Sequence, residues 1–337
     1  MTKPKMQNDT QLTNEEKLLL TMLESSFGPE INKYLNDNSV IEIMVNPDSK
    51  LWVDYLGRGR VDTGIKFSSV SAKQIIELVA SGSNSICNYA NPIISAELPG
   101  SGARFQGMLP PIVAKPTFTI RKKAILVYTL QDYVDQKILS INQKNIIINA
   151  VKNKKNMLIV GGTQSGKTTF ANAVLKEIAK TGDRLVLIED TLELQCQAED
   201  YLTLRTFNNG IKEITMTELL KSTMRMRPDR IIIGEVRGAE ALPLLKAFNT
   251  GHPGGLCTIH ADGALEGLTR LEELVQEASV TPQKKTIART INLIIYIEKT
   301  VTEDENGKMK HGRTVKEIVT IYPKMTTENE YTYKFEE

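Results

Sequence analysis

From Thr13 to about Leu35, apolar residues recur at helical spacing (Leu18, Leu19, Met22, Leu23, Phe27, Ile31, Leu35), and Thr13 with Glu16 spells a capping box, so the pattern predicts an opening helix. Short apolar runs follow at Val40 to Val45 and Leu51 to Val53, separated by the turn residues Asn46-Pro47-Asp48. A helix is predicted near Ala72 to Ala80 and a strand at Thr117 to Arg121, with Gly- and Pro-rich segments through Pro111 between them. Together these predict a small α+β domain over residues 1–123, followed by a linker over 124–140. From Met157 the rhythm changes. Short apolar runs at Met157 to Val160, Leu185 to Ile188, Arg230 to Ile233, Leu256 to Ile259 and Leu293 to Ile297 alternate with helical stretches, which predicts a mostly parallel sheet covered on both faces over 141–337. Val315 to Tyr322 and Tyr331 to Phe335 read as an appended hairpin.

The first of those runs leads directly into chemistry. MLIV, GGTQSGKT and TFANAVLKEIA supply strand, loop and helix in the order that phosphate binding requires. Gly161 and Gly166 let the backbone turn sharply and bring its amides to phosphate oxygens, at the positive end of the next helix. Lys167 would reach the β and γ phosphates, and the Thr168 hydroxyl would ligate magnesium. The candidate nucleotide-binding residues are therefore Gly161, Gly162, Thr163, Gln164, Ser165, Gly166, Lys167, Thr168 and Thr169. Gln164 stands where such loops usually carry glycine, and a left-handed conformation there would cost about 1–2 kcal/mol.

In a parallel sheet of this kind, catalytic groups sit at the carboxyl ends of strands. Glu235, just past Arg230 to Ile233, is placed to polarise an attacking water. Gly234 takes the place where many such enzymes have a magnesium-binding Asp, so the metal would lean on Thr168 and on the acids Glu189, Asp190 and Glu193 after the second strand. His260 ends a strand of the same sheet and is a candidate sensor of the γ phosphate, whereas His252, in a Gly-Pro loop, is expected to fix that loop. Arginines that could neutralise a triphosphate are Arg104 and Arg121 in the first domain and Arg225, Arg227 and Arg237 near Glu235; spacing alone does not choose among them.

Composition narrows the classes. A net charge of +2 on 337 residues recruits neither nucleic acid nor anionic membrane globally, so no direct nucleic-acid binding is expected and membrane contact would be peripheral. The three cysteines, Cys87, Cys196 and Cys257, lack the paired spacing of zinc sites or disulfide frameworks, which fits a reducing cytoplasm. Neither a signal peptide nor a membrane span is expected. Two other readings stay open: a nucleic-acid translocase or helicase with a related sheet, and a nucleotide-gated scaffold with weak hydrolysis, the latter suggested by Gln164.

The segments EIMVNPDSKLWV, SAELPGSGARFQGMLPP and PTFTIRK, then GGTQSGKTT, IEDTLEL, RMRPDRIIIGEVRG and FNTGHPGGLCTIHADGALEGLTRLEEL, together resemble the type II/IV secretion and pilus ATPase superfamily. The likeness spans nearly the whole chain and is nearest to conjugal-transfer motors of the Trb type within the type IV secretion branch. It implies a RecA-like P-loop NTPase core with a smaller, PAS-like N-terminal domain, using ATP and Mg2+. Glu189, Asp190 and Glu193 match the family's acidic box, Glu235 its catalytic glutamate and His260 its histidine box. Arg104 and Arg121 match first-domain arginines that approach the γ phosphate as the domains close. The resemblance also implies a homo-oligomer, usually a hexamer, at the cytoplasmic face of the inner membrane, with other secretion or conjugation ATPases and inner-membrane components as partners. Pilus-assembly and type II members usually carry a paired-cysteine zinc element, absent here, so secretion or conjugation is favoured.

Overall fold

The capping box at Thr13 forms: its hydroxyl accepts from the Glu16 amide at 3.2 Å, and the Glu16 carboxylate accepts from the Thr13 amide at 2.8 Å. It opens α1 (Asn14–Asn36), which the sequence reads as one helix but which bends at Gly28, φ 67°, because Pro29 has no amide to donate and disfavours helical geometry in the residue before it. The computed structural model describes residues 13–55, 58–83, 85–123, 127–208, 212–303 and 309–336. The chain divides into two compact units, Met1–Ile125 and Leu126–Glu337.

In the first unit, β1 (Val40–Val45), β2 (Lys50–Tyr55), β3 (Gly59–Lys66), β4 (Ile93–Glu97), β5 (Arg104–Met108) and β6 (Thr117–Arg121) form one antiparallel sheet, in the order β3-β2-β1-β6-β5-β4. α2 (Ser69–Gly82) joins α1 over one face, where Leu23, Phe27, Ile31, Ile75 and Ile76 meet Ile43, Val53, Phe105, Phe118 and Ile120. Strands β3, β4 and β5 are not predicted by the hydrophobic pattern; β4 and β5 lie within the Gly- and Pro-rich segments before Pro111.

In the second unit, α3 (Leu130–Asp135) occupies part of the stretch expected as a linker. Its Leu130 and Tyr133 are buried with Phe170 and Val174, so it belongs to the core of this unit. Residues 124–126 of that stretch lie outside the described residues. Next come α4 (Ile141–Lys152), β7 (Met157–Val160), α5 (Lys167–Ile178), β8 (Leu185–Glu189), β9 (Tyr201–Arg205), the small ribbon β10 (Phe207–Asn208) and β11 (Glu213–Ile214), and α6 (Met216–Thr223). The chain continues with β12 (Arg230–Ile233), α7 (Ala241–Asn249), β13 (Leu256–Ile259), α8 (Ala264–Gln276), α9 (Lys284–Thr290), β14 (Leu293–Glu303), β15 (Met309–Met325) and β16 (Tyr331–Glu336). The sheet order is β16-β15-β14-β7-β13-β12-β8-β9, parallel from β14 to β9 and antiparallel in the β14-β15-β16 extension.

The continuous apolar runs follow from two-sided burial. Leu158, Val160, Ile231, Ile233 and Ile259 face the layer of α6 to α9, and Met157, Ile159, Ile232 and Leu256 face that of α4 and α5. The amino ends of the strands are tied by buried polar groups. Asn156 donates to the Thr290 carbonyl at 2.8 Å and accepts from the Gly255 amide at 2.9 Å. Arg230, 1% exposed, pairs with Asp183 at 2.7 Å. Burial alone would raise the Asp183 carboxyl, but hydrogen bonds from Lys154, Arg230 and Thr181 outweigh it and hold it down at about 2.

Candidate functional site

At the carboxyl ends of the same strands, β7 runs into the loop from Gly161 to Gly166. A Cβ on Gly161 would lie 2.3 Å from the Ile297 carbonyl and 2.5 Å from the Ser165 hydroxyl, so only glycine fits. Gly166 takes φ 97° to start α5. Gln164 does adopt the left-handed conformation, at φ 58°, and its side-chain oxygen accepts from Lys299 of β14 at 3.0 Å. Ser165 is buried, and its hydroxyl meets no hydrogen-bond partner among the described residues.

Lys167 folds back over the loop. Its ammonium donates to the carbonyls of Gly161 at 2.8 Å and Gly162 at 3.0 Å, and stands 3.2 Å from each ring nitrogen of His260, which follows β13. His260 Nε2 is 2.7 Å from Glu235 Oε1. Arg237 clamps the other oxygen of Glu235, with Nε at 2.7 Å and Nη2 on the same atom, and its Nη1 is 3.6 Å from Asp190. Lys167, His260, Glu235, Arg237 and Asp190 thus form one chain of contacts across the carboxyl ends of β7, β13, β12 and β8. Of the arginines near Glu235, geometry selects Arg237.

The acids divide differently from expectation. Glu189, 2% exposed, spends Oε1 on the amides of Glu193 and Leu194, both at 2.9 Å, and so caps the loop after β8. Its side chain lies over Gly234, where a Cβ would be 2.9 Å from Glu189 Cγ. Gly234 is thereby explained: it makes room for this carboxylate. Asp190 accepts from the Thr206 hydroxyl at 3.0 Å, and Glu193 joins the loop through its backbone, its carbonyl accepting from Asn172. No group of three or more His, Cys, Asp or Glu among the described residues is arranged to hold a metal, so Glu189, Asp190 and Glu193 do not form a three-carboxylate site. Thr168 is the second residue of α5 and half-buried. His252 does not fasten its loop through Nδ1, which is buried with no partner among the described residues.

Arg104 and Arg121 belong to the first unit, directly opposite one another on β5 and β6. The same register line carries Glu97 beside Arg104, then Glu42, Asp54 and Arg60 beyond Arg121, so the arginine pair is flanked by carboxylates on the polar face of the sheet. Burial raises the Glu42 carboxyl, with Arg121 opposing. This row depends on pairing between distant strands and has no local sequence signal. The same holds for Lys299 and Arg313, brought to the loop by the β14-β15 hairpin.

A family model described as "Type II/IV secretion system protein" matches residues 30–328. The chain belongs to that family. Within it, the chain is 45% identical over 305 residues to a probable conjugal transfer protein TrbB of Sinorhizobium fredii, covering 90% of each. It is 46% identical over 314 residues to the conjugal transfer protein TrbB of Rhizobium radiobacter, covering 93% of each. Among solved structures, the ATPase DotB of Legionella pneumophila superposes with a TM-score of 0.59 at 18% identity, covering 94% of this chain and 83% of that one. That likeness speaks for the fold, a RecA-like α/β core with a smaller α+β unit before it. Secretion-family membership and the Trb-type resemblance read from the motifs therefore agree.

Proposed function

We propose that this chain is a magnesium-dependent ATPase acting as a ring motor, a homohexamer, in a conjugative or type IV secretion machine. The observation that carries the reading is the contact chain Lys167–His260–Glu235 at the carboxyl ends of three adjacent strands, next to a loop whose amides and helix end suit an anion. Bound triphosphate would draw the Lys167 ammonium off its two carbonyls. Glu235, oriented by Arg237, would then polarise water toward the γ phosphate, with His260 sensing that phosphate. Magnesium would supply charge neutralisation at the phosphates, with Thr168 as its protein ligand and the remaining ligands from phosphate and water. Glu189 would support the site by shaping the loop after β8. Arg104 and Arg121 would approach the γ phosphate as the two units close, so that hydrolysis becomes domain motion.

The names of the relatives support conjugation as the setting. Other secretion or conjugation ATPases and inner-membrane components would be the partners, at the cytoplasmic face of the inner membrane. No helix among the described residues is long and apolar enough to cross a membrane. The test is turnover by Lys167→Ala and Glu235→Gln. Both should lose ATP hydrolysis, the second while keeping ATP binding; persistence of turnover in both refutes the assignment. Light scattering with and without nucleotide tests the ring. The left-handed Gln164 keeps a second reading in play, a nucleotide-gated scaffold: tight ATP binding without turnover, and recovery of turnover in Gln164→Gly, would support it.

A further inference from the structure

The γ-phosphate machinery reaches the loop from one side, through β13 and β12. From the other side, across β14, comes Arg313 of β15, paired opposite Lys299. A Cβ built on Gly166 would stand 3.0 Å from both Cδ and Nε of Arg313. Glycine at this position therefore serves two purposes: it supplies φ 97°, and it admits the arginine to the first turn of α5. The backbone that carries Arg313 is fixed, because the Val315 amide donates to the Ile138 carbonyl at 2.8 Å and Gln143 donates to the Val315 carbonyl at 3.2 Å.

This is an unfavourable place for a cation. The amino end of a helix carries positive partial charge, and Lys167 and Lys299 already stand around the same loop. The Nε–H of Arg313 is moreover buried without an acceptor among the described residues. Like charges gathered at a positive helix end, with a buried donor unmatched, are balanced by an anion.

We infer that Arg313 is a further phosphate-binding residue of the nucleotide site, directed to the α and β phosphates that ATP and ADP share. This rests on the nucleotide-binding reading above. Its position on the β14-β15 side of β7, away from His260 and Glu235, assigns it to the part of the nucleotide that remains after hydrolysis. It would thus help to retain ADP.

Titration calorimetry of the full chain with ADP and with a non-hydrolysable ATP analogue tests this in wild type, Arg313→Ala and Arg313→Lys. Arg313→Ala should weaken both ligands by the same factor, roughly tenfold or more, as expected for a charge-assisted contact. Arg313→Lys should recover part of the loss. The unliganded melting temperature of Arg313→Ala should hold or rise, since an unmatched cation has been removed. Unchanged ADP affinity in Arg313→Ala overturns the inference, as does a loss confined to the ATP analogue. Should Arg313→Ala fail to fold, Arg313→Lys alone decides, by weakening ADP or leaving it untouched. If Lys167→Ala abolishes binding and both Arg313 variants bind normally, only this inference fails; if the wild type binds neither ligand, the nucleotide reading itself fails.

Discussion

Replacing Gln164 sets three small terms against each other. In its left-handed conformation a non-glycine residue costs about 1–2 kcal/mol, which Gln164→Gly removes. Glycine widens the unfolded ensemble, which takes back about 0.4–1 kcal/mol. The contact from Lys299 is also lost; both side chains are exposed, so it contributes about 0.5 kcal/mol. Gln164→Gly should therefore change stability by about −0.5 to +1 kcal/mol. Gln164→Ala keeps the strain and loses the contact, so it should fall about 0.5 kcal/mol below wild type and, with central values of about 1.5 kcal/mol for the strain and about 0.7 kcal/mol for the unfolded-chain entropy, about 0.8 kcal/mol below the glycine variant. Urea unfolding followed by far-UV circular dichroism measures the difference; tryptophan fluorescence is unsuited, because the single tryptophan, Trp52, lies on β2 of the other unit. In the ATPase reading the loop keeps its conformation on binding. The strain then cancels, and ADP affinity should shift by no more than about twofold. An alanine variant as stable as the glycine variant would refute the claim that φ at this residue is strained.

Arg237→Ala should lower the ATP turnover number roughly 10- to 100-fold while leaving ADP affinity intact, because Arg237 holds the Glu235 carboxylate and does not touch the loop; steady-state kinetics with calorimetry separates the two. The Asp183 carboxyl is held down at about 2 when folded, so its contribution is fully present above the unfolded value near 4 and is lost as pH falls toward 2; it amounts to about 1–2 kcal/mol after allowing for the exposed Lys154, and melting curves from pH 5 to 2 should show it. Asp183→Asn should abolish that acid-dependent component and destabilise the protein by about 3–5 kcal/mol at neutral pH, since Arg230 would be left buried and uncompensated. Gly234→Ala should push Glu189 off the Glu193 and Leu194 amides, at about 1–3 kcal/mol in a chemical melt, with loss of turnover; a variant that matches wild type in both would show that Glu189 has room to move.

What the sequence makes legible here is what is local. The Met157 to Val160 run, the glycines of the loop and the Thr13 capping box each set their geometry within a few residues, and each appears where the pattern puts it. The parallel core is readable because two-sided burial writes itself as unbroken apolar runs such as Ile231-Ile232-Ile233. Strands β4 and β5 are not readable, because their identity depends on pairing with each other and with β6 in spite of nearby glycines and prolines. The helix α3 is hidden for another reason: its six residues are too few to show a period, and only the packing of Leu130 and Tyr133 against Phe170 reveals that they are core. In the site, Glu235 and His260 directly follow apolar strand runs, which is why their place at the carboxyl ends can be read from the sequence. Lys299 and Arg313 come from strand pairing across a hairpin, and the role of Glu189 as a loop cap depends on the path of the chain after β8.

The two ends of the parallel sheet treat polar groups in opposite ways, and that contrast is an argument about function. At the amino ends Asn156 is matched on both sides of its amide, and the Arg230 guanidinium reaches Asp183, the Val151 carbonyl and the Gly254 carbonyl, so this buried amide and this buried charge need no ligand. At the carboxyl ends Lys167 leans on two carbonyls of its own loop, the Ser165 hydroxyl and Arg313 Nε lack partners among the described residues, and Gln164 is held in a strained conformation. Buried polar groups are ordinarily matched, and strain persists where the surroundings enforce it. A chain that matches the buried Arg230 charge so fully at one end has the means to match a cation at the other. Around the loop itself the groups left to match among the described residues are donors, the Ser165 hydroxyl and Arg313 Nε, beside the Lys167 ammonium, and a polyphosphate is the ligand whose oxygens would complete them.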